Sequence, residues 1–180
     1  MGPSGVGKTT LLNLIAGFDA PGVEGTGFIE LKGRPLVDTP AHRRKLGLVF
    51  QTPLLFPHLS VGENLSFGLP RDIKGKDRQS RIEEALAYAG LEGFSDRDPF
   101  GLSGGQRARV SLLRTLLSAP EALLLDEPFS ALDEETRADM RAFTLAQIKA
   151  HGLPTLLVTH DPRDAEALSA RTLHLTAADP

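Results

Sequence analysis

Four short apolar runs, at 28–31, 46–50, 122–125 and 155–158, punctuate the chain, and stretches of helical periodicity lie between them. Runs of this length and aliphatic content are expected of strands buried on both faces. The segments 9–16, 78–89, 103–117 and 134–150 read as helices. In the second of these, Ile82, Ala85, Leu86 and Ala89 fall on one helical face. Strands alternating with helices predict an α/β fold with a mostly parallel sheet and crossover helices. The segment 52–101 has a different texture, because Pro53, Pro57, Pro70 and several glycines interrupt it on both sides of its helix. It is predicted to form an inserted helical lobe. The chain is then a single domain, with 1–51 and 102–180 as its core.

Composition adds exclusions to this picture. At 180 residues, 41% hydrophobic and 24% charged, the chain can bury one core. A net charge of -3 offers no basic field for wrapping DNA or RNA, so no direct nucleic-acid partner is expected. No apolar run approaches the roughly 20 residues that cross a bilayer, which leaves only a peripheral membrane role. There is no cysteine, hence no disulfide, thiolate chemistry or cysteine-held zinc. The first residues carry neither a basic segment nor an apolar run, so no signal peptide is visible and a cytoplasmic location is expected.

Candidate chemistry begins at the second residue. Gly2, Pro3, Ser4, Gly5, Val6, Gly7, Lys8 and Thr9 have the spacing of a phosphate-binding P-loop, in which glycines let backbone N–H groups turn inward around an anion. The helix that follows adds its N-terminal partial charge. On this reading Lys8 reaches the β- and γ-phosphates, Thr9 ligates Mg²⁺ and Thr10 adds a phosphate contact. The alternative is a glycine-rich turn before a helix. Further on, the 122–125 run ends in Asp126 and Glu127, placing two carboxylates at the C-terminal end of a strand, where open α/β sheets bind their ligands. Asp126 is suited to hold Mg²⁺ and Glu127 to take a proton from, or orient, an attacking water. Leu102, Ser103, Gly104, Gly105 and Gln106 open the next helix. Ser103 and Gln106 form a capping box, while the two glycines leave helix-start N–H groups open to an anion.

With that last string the chain resembles the ABC cassette ATPases, a RecA-like P-loop NTPase family, and the resemblance continues in the family's order. Gln51 matches the Q-loop glutamine that senses Mg²⁺ and the attacking water. Ser130, Ala131, Leu132 and Asp133 match the D-loop, and His160 matches the switch histidine on the γ-phosphate. The resemblance implies Mg²⁺-dependent hydrolysis of ATP to ADP and phosphate, with Glu127, His160 and Gln51 catalytic and Thr9, Gln51 and Asp126 at the metal. It implies a head-to-tail dimer in which the 102–106 string of one cassette faces the P-loop of the other. It implies transmembrane permease subunits that hold the cassette on the inner face of the plasma membrane, together with a solute-binding protein. Leu54, Leu55 and Phe56 either line the groove that receives a helix of the permease or pack inside the lobe. The string around them resembles importers of small solutes of the thiamine, molybdate or iron class. Lobe length argues against chromosome-maintenance relatives, because about 50 residues is too short for a coiled-coil arm.

One departure stands out. Cassettes of this family place an antiparallel β-subdomain, an aromatic residue for adenine and the P-loop strand ahead of the glycine loop, and here Met1 abuts Gly2. The expectation is an N-terminally truncated cassette that binds ATP poorly unless extended upstream.

Overall fold

The computed structural model describes residues 1–2, 5–19, 22–23 and 27–176. Among them lies a parallel sheet in the order β3-β4-β5, formed by Leu46–Val49, Ala122–Asp126 and Thr155–Val158. Val49 pairs with Leu125 and Asp126 with Val158, so all three strands end at one edge. The central strand, β4, is buried at every position, which explains its unbroken apolar run.

Alternation along β4 divides the interior into layers. Leu123 and Leu125 face a cluster built with Leu112 and Leu116 of α5 (Gly104–Leu117) and Met140 of α6 (Glu134–His151). Leu124 faces the other way, onto Leu12 and Ala16 of α1 (Lys8–Ala16). Helices therefore cover both faces of the sheet, as the sequence predicts.

The 28–31 run does not join this sheet. Only Glu30–Leu31 (β1) is strand, and it pairs antiparallel with Arg34–Pro35 (β2). Phe28 is 71% exposed, and Lys32 and Gly33 turn the chain with positive φ, so the run is one arm of a tight hairpin and too short to cross a sheet. Two helices with legible caps escaped the periodicity. Helix α3 (Val61–Gly68) opens on a capping box in which Ser60 accepts from the Glu63 N–H and Glu63 accepts from the Ser60 N–H. Helix α7 (Pro162–Ala167) opens on Asp161 followed by proline. Both are shorter than the window in which helical spacing shows.

Segment 52–101 holds α3, α4 (Gly75–Tyr88) and a 3₁₀ turn at Pro99–Gly101. Its core joins Val61, Leu65, Ile82 and Leu86 to Leu102, Val110 and Leu113, so one face of α5 packs on the lobe while Ala108, Leu112 and Leu116 face the sheet. Asn64, fully buried, organises the loop ahead of α3. It accepts from the Phe56 N–H at 2.8 Å and donates to the carbonyls of Phe56, Leu59 and Ser60 at 3.1, 3.2 and 2.9 Å. Arg114 of α5 donates to the same Asn64 oxygen at 3.3 Å and to the Leu54 carbonyl at 2.7 Å, and lies over the Phe56 ring. Asn64→Ala should cost about 3 kcal/mol, because several buried groups lose partners at once. Thermal unfolding should register it as a fall of roughly 5–10 °C; an unchanged midpoint would show that water replaces the amide.

Candidate functional site

Helix α1 begins where Gly7, at φ 93°, turns the backbone into the left-handed region that glycine tolerates. Among the described residues no side chain caps the helix, whose first N–H groups point towards the loop. Lys8 is buried, and its Nζ donates to the Gly2 carbonyl at 2.8 Å, folding the side chain back over the loop. Gly5 also has positive φ, Val6 is half-buried and Thr10 lies within α1. Pro3 and Ser4 lie outside the described residues.

Thr9 links this loop to the sheet edge, its hydroxyl donating to Asp126 Oδ1 at 3.2 Å. Burial raises the Asp126 carboxyl above its ordinary value and the neighbouring Glu127 charge adds to this, while the Thr9 hydrogen bond and the Lys8 charge oppose it. Glu127 follows immediately and has φ 45°, a left-handed conformation uncommon for a residue with a side chain. Its backbone is held on both sides: its N–H donates to the Val158 carbonyl at 2.9 Å, and its carbonyl accepts from the Ser130 hydroxyl at 2.9 Å. Strain of this kind persists only where surrounding structure enforces it. The result aims the carboxylate at His160, whose Nδ1 lies 3.2 Å from Glu127 Oε2. Gln51, two residues beyond β3, is exposed at the same strand edge.

The other predicted site residues gather elsewhere. Leu102 is buried, and Ser103 caps α5 by accepting from the Gln106 N–H at 3.2 Å while Gln106 accepts from the Ser103 N–H at 2.9 Å. The glycines between them have a packing reason as well. A side chain at Gly105 would place its Cβ 2.4 Å from Thr136 Cγ2, and one at Gly104 would touch Leu132. The 102–106 string thus rests against Leu132 and the first turn of α6, whose N-cap Asp133 accepts from the Thr136 N–H at 3.0 Å. That bond holds the Asp133 carboxyl below its ordinary value. Ser130 is half-buried and Ala131 exposed in the turn between. Gly105→Val should cost about 1–3 kcal/mol, because Thr136 is β-branched on a helix and cannot rotate away. Differential scanning fluorimetry checks this; an unshifted midpoint would mean that α5 and α6 part freely.

The sequence reading passed over a charged group beside His160. Arg137 and Arg141 of α6 reach Asp161 at 3.5 and 3.2 Å, Arg141 reaches Asp164 at 2.6 Å, and Thr159 donates its hydroxyl to Asp164 at 2.5 Å. Hydrogen bonds from Arg163 drive the Asp161 carboxyl far below the usual aspartate range, helped by the Arg163 and Arg141 charges. Two arginines four residues apart on a helix were the available signal.

Oxygen donors for a hard cation are present in the adjacent Thr9 hydroxyl and buried Asp126 carboxylate. No group of three or more His, Cys, Asp or Glu side chains able to hold a metal occurs among the described residues. A donor set this sparse fits Mg²⁺, which takes most of its shell from phosphates and water.

The family model for the ABC transporter matches residues 1–130. The chain belongs to the ABC transporter family. The chain is 45% identical to the ATP-binding protein YnjD of Escherichia coli over 94% of its length and 78% of that relative. Over 94% of its length it is 49% identical to the Fe(3+) ions import ATP-binding protein FbpC of Mesorhizobium japonicum. Over 96% it is 44% identical to the spermidine/putrescine import ATP-binding protein PotA of Nitratidesulfovibrio vulgaris. It spans 46% of each of these last two, less than half their length. Among solved structures it resembles a dimer of the ATP-binding cassette MJ0796 bound to ADP and phosphate, with TM-score 0.75 and 34% identity over 93% of this chain and 75% of that one. The expected P-loop NTPase fold and ATPase class stand with this membership.

Proposed function

We propose that this chain is the ATP-hydrolysing subunit of an importer for a small solute. The observation that carries the reading is the convergence of Lys8, the Thr9–Asp126 pair and the Glu127–His160 pair at one end of three parallel strands. Lys8 and the α1 N-terminus bind the phosphates of ATP, with Gly2, Pro3, Ser4, Gly5, Val6, Gly7 and Thr10 completing the loop. Thr9, Asp126 and Gln51 hold Mg²⁺, which when bound neutralises phosphate charge. Glu127 accepts the proton of the attacking water, and His160 holds both that carboxylate and the γ-phosphate.

Only half of each site belongs to one copy. In the proposed head-to-tail dimer, the Leu102–Gln106 string of the second copy closes on the nucleotide and residues 130–133 cross the interface. The lobe serves as the docking face for permease subunits at the inner surface of the plasma membrane. Leu54 and Phe67 are 54% and 69% exposed there, while Leu55 packs into the lobe. A solute-binding protein completes the assembly. Relatives named for ferric ion and polyamine import favour a small cationic solute, which agrees with the iron class.

Phosphate release by the purified protein, with and without Mg²⁺, tests this directly. Lys8→Ala should abolish ATP binding and turnover together, since the buried ammonium supplies both charge and loop closure. Turnover that persists in Lys8→Ala would sink the assignment.

A further inference from the structure

The roles proposed above leave the arginines of α6 unused. Arg141 is 6% exposed and neutralised by Asp161 and Asp164, so it reads as a structural ion pair. Arg137 is placed differently. Its Nη2 donates to the carbonyls of Ser130 at 3.2 Å and Leu132 at 3.0 Å, both in the D-loop. Its Nη1 reaches Asp161, the residue after His160, at 3.5 Å, and Glu134 at 4.0 Å. Asp161 in turn caps α7 by accepting from the Arg163 N–H at 2.9 Å, and its own N–H donates to Thr159 at 3.1 Å. Both neighbours of His160 are therefore anchored, and the Arg137 guanidinium joins that anchor to the D-loop.

The join is loose. Its ionic contacts are long, and the buried Nε of Arg137 has no acceptor among the described residues. A buried N–H without a partner calls for an explanation, and a group that exchanges partners during function supplies one. Resting on the proposed dimer, we propose that Arg137 is a positioning residue that transmits the placement of residues 130–133 by the second copy to the Glu127–His160 pair. Arg137 does not touch nucleotide. It sets where His160 stands when the D-loop is seated.

Steady-state hydrolysis and ATP binding of Arg137→Gln, Arg137→Lys, Asp161→Asn and the Arg137→Gln/Asp161→Asn double variant test this. Arg137→Gln should lower kcat by about tenfold or more and leave KM for ATP within about twofold, because the phosphate loop is untouched. Arg137→Lys should recover part of kcat, since an ammonium pairs with Asp161 but cannot also fork to two carbonyls. The double variant should be no slower than the slower single one, as expected when both act through one contact. Unchanged kcat in Arg137→Gln would overturn the proposal, as would additive losses. So would a fall in kcat matched by equal loss of ATP binding and thermal stability in both Arg137 variants. Should Arg137→Gln not fold, Arg137→Lys and Asp161→Asn carry the same comparison. The catalytic reading fails separately, if Glu127→Gln turns over normally while the wild type hydrolyses ATP.

Discussion

Glu127→Gln should reduce ATP turnover by roughly 10²–10⁴-fold, the range that a positioned general base supplies. Binding of ATP and ATP-driven association of two copies should survive. Glutamine keeps the length of the side chain, occupies the same left-handed backbone at φ 45° without a new clash, and offers His160 an oxygen where the carboxylate stood. What it loses is the capacity to take a proton from water. The variant should therefore accumulate as a nucleotide-bound dimer, seen as an ATP-dependent doubling of mass in size-exclusion chromatography with light scattering. Unaltered turnover would remove Glu127 from the mechanism. Loss of both association and binding would instead mean that the charge serves to build the site.

Asp126→Asn should abolish hydrolysis as thoroughly and yet stabilise the protein without nucleotide. Burial is the main cause that raises this carboxyl above its ordinary value of 3.8. A group raised in the folded state contributes stability that is fully present below the unfolded value and lost as pH rises through the folded one. At neutral pH the ionised Asp126 is thus a net cost, which the amide removes while still accepting from the Thr9 hydroxyl. A higher melting midpoint near pH 7.5, with the gain shrinking as pH falls through the raised value, is expected. A lower midpoint at neutral pH would show that Lys8 and Thr9 more than offset burial. The opposite sign holds for Asp161, whose depressed carboxyl contributes stability above the ordinary aspartate value that is lost only in strong acid. Burial thus opposes ionisation of the carboxyl at the position proposed to meet the metal.

Periodicity and motif spacing carried the reading a long way where residues act through neighbours in sequence. The apolar run of β4, the α5 capping box and the glycine loop ahead of α1 all declare themselves within a few residues, because strand burial, helix capping and phosphate cradling are local demands. The 28–31 run misled for the same reason: four residues state that a strand is favoured, and only the partner decides whether it enters a parallel sheet or folds back on 34–35. Gly105 shows a different limit. In sequence it suggests an open anion site; in the structure a second cause, the approach of Thr136 from another helix, already demands glycine there.

The sequence by itself determined the family and the order of its motifs, and it nominated the groups proposed to meet phosphate, metal and water. Tertiary structure alone decided that Asp126 is buried and Thr9-bonded, that Glu127 and His160 sit 3.2 Å apart, and that Arg137 ties the carbonyls of Ser130 and Leu132 to Asp161. The physical reason is that ionic and burial terms depend on distance in space. Arg137 and Asp161 are 24 residues apart and Thr9 and Asp126 are 117 apart, and no local pattern encodes such approaches.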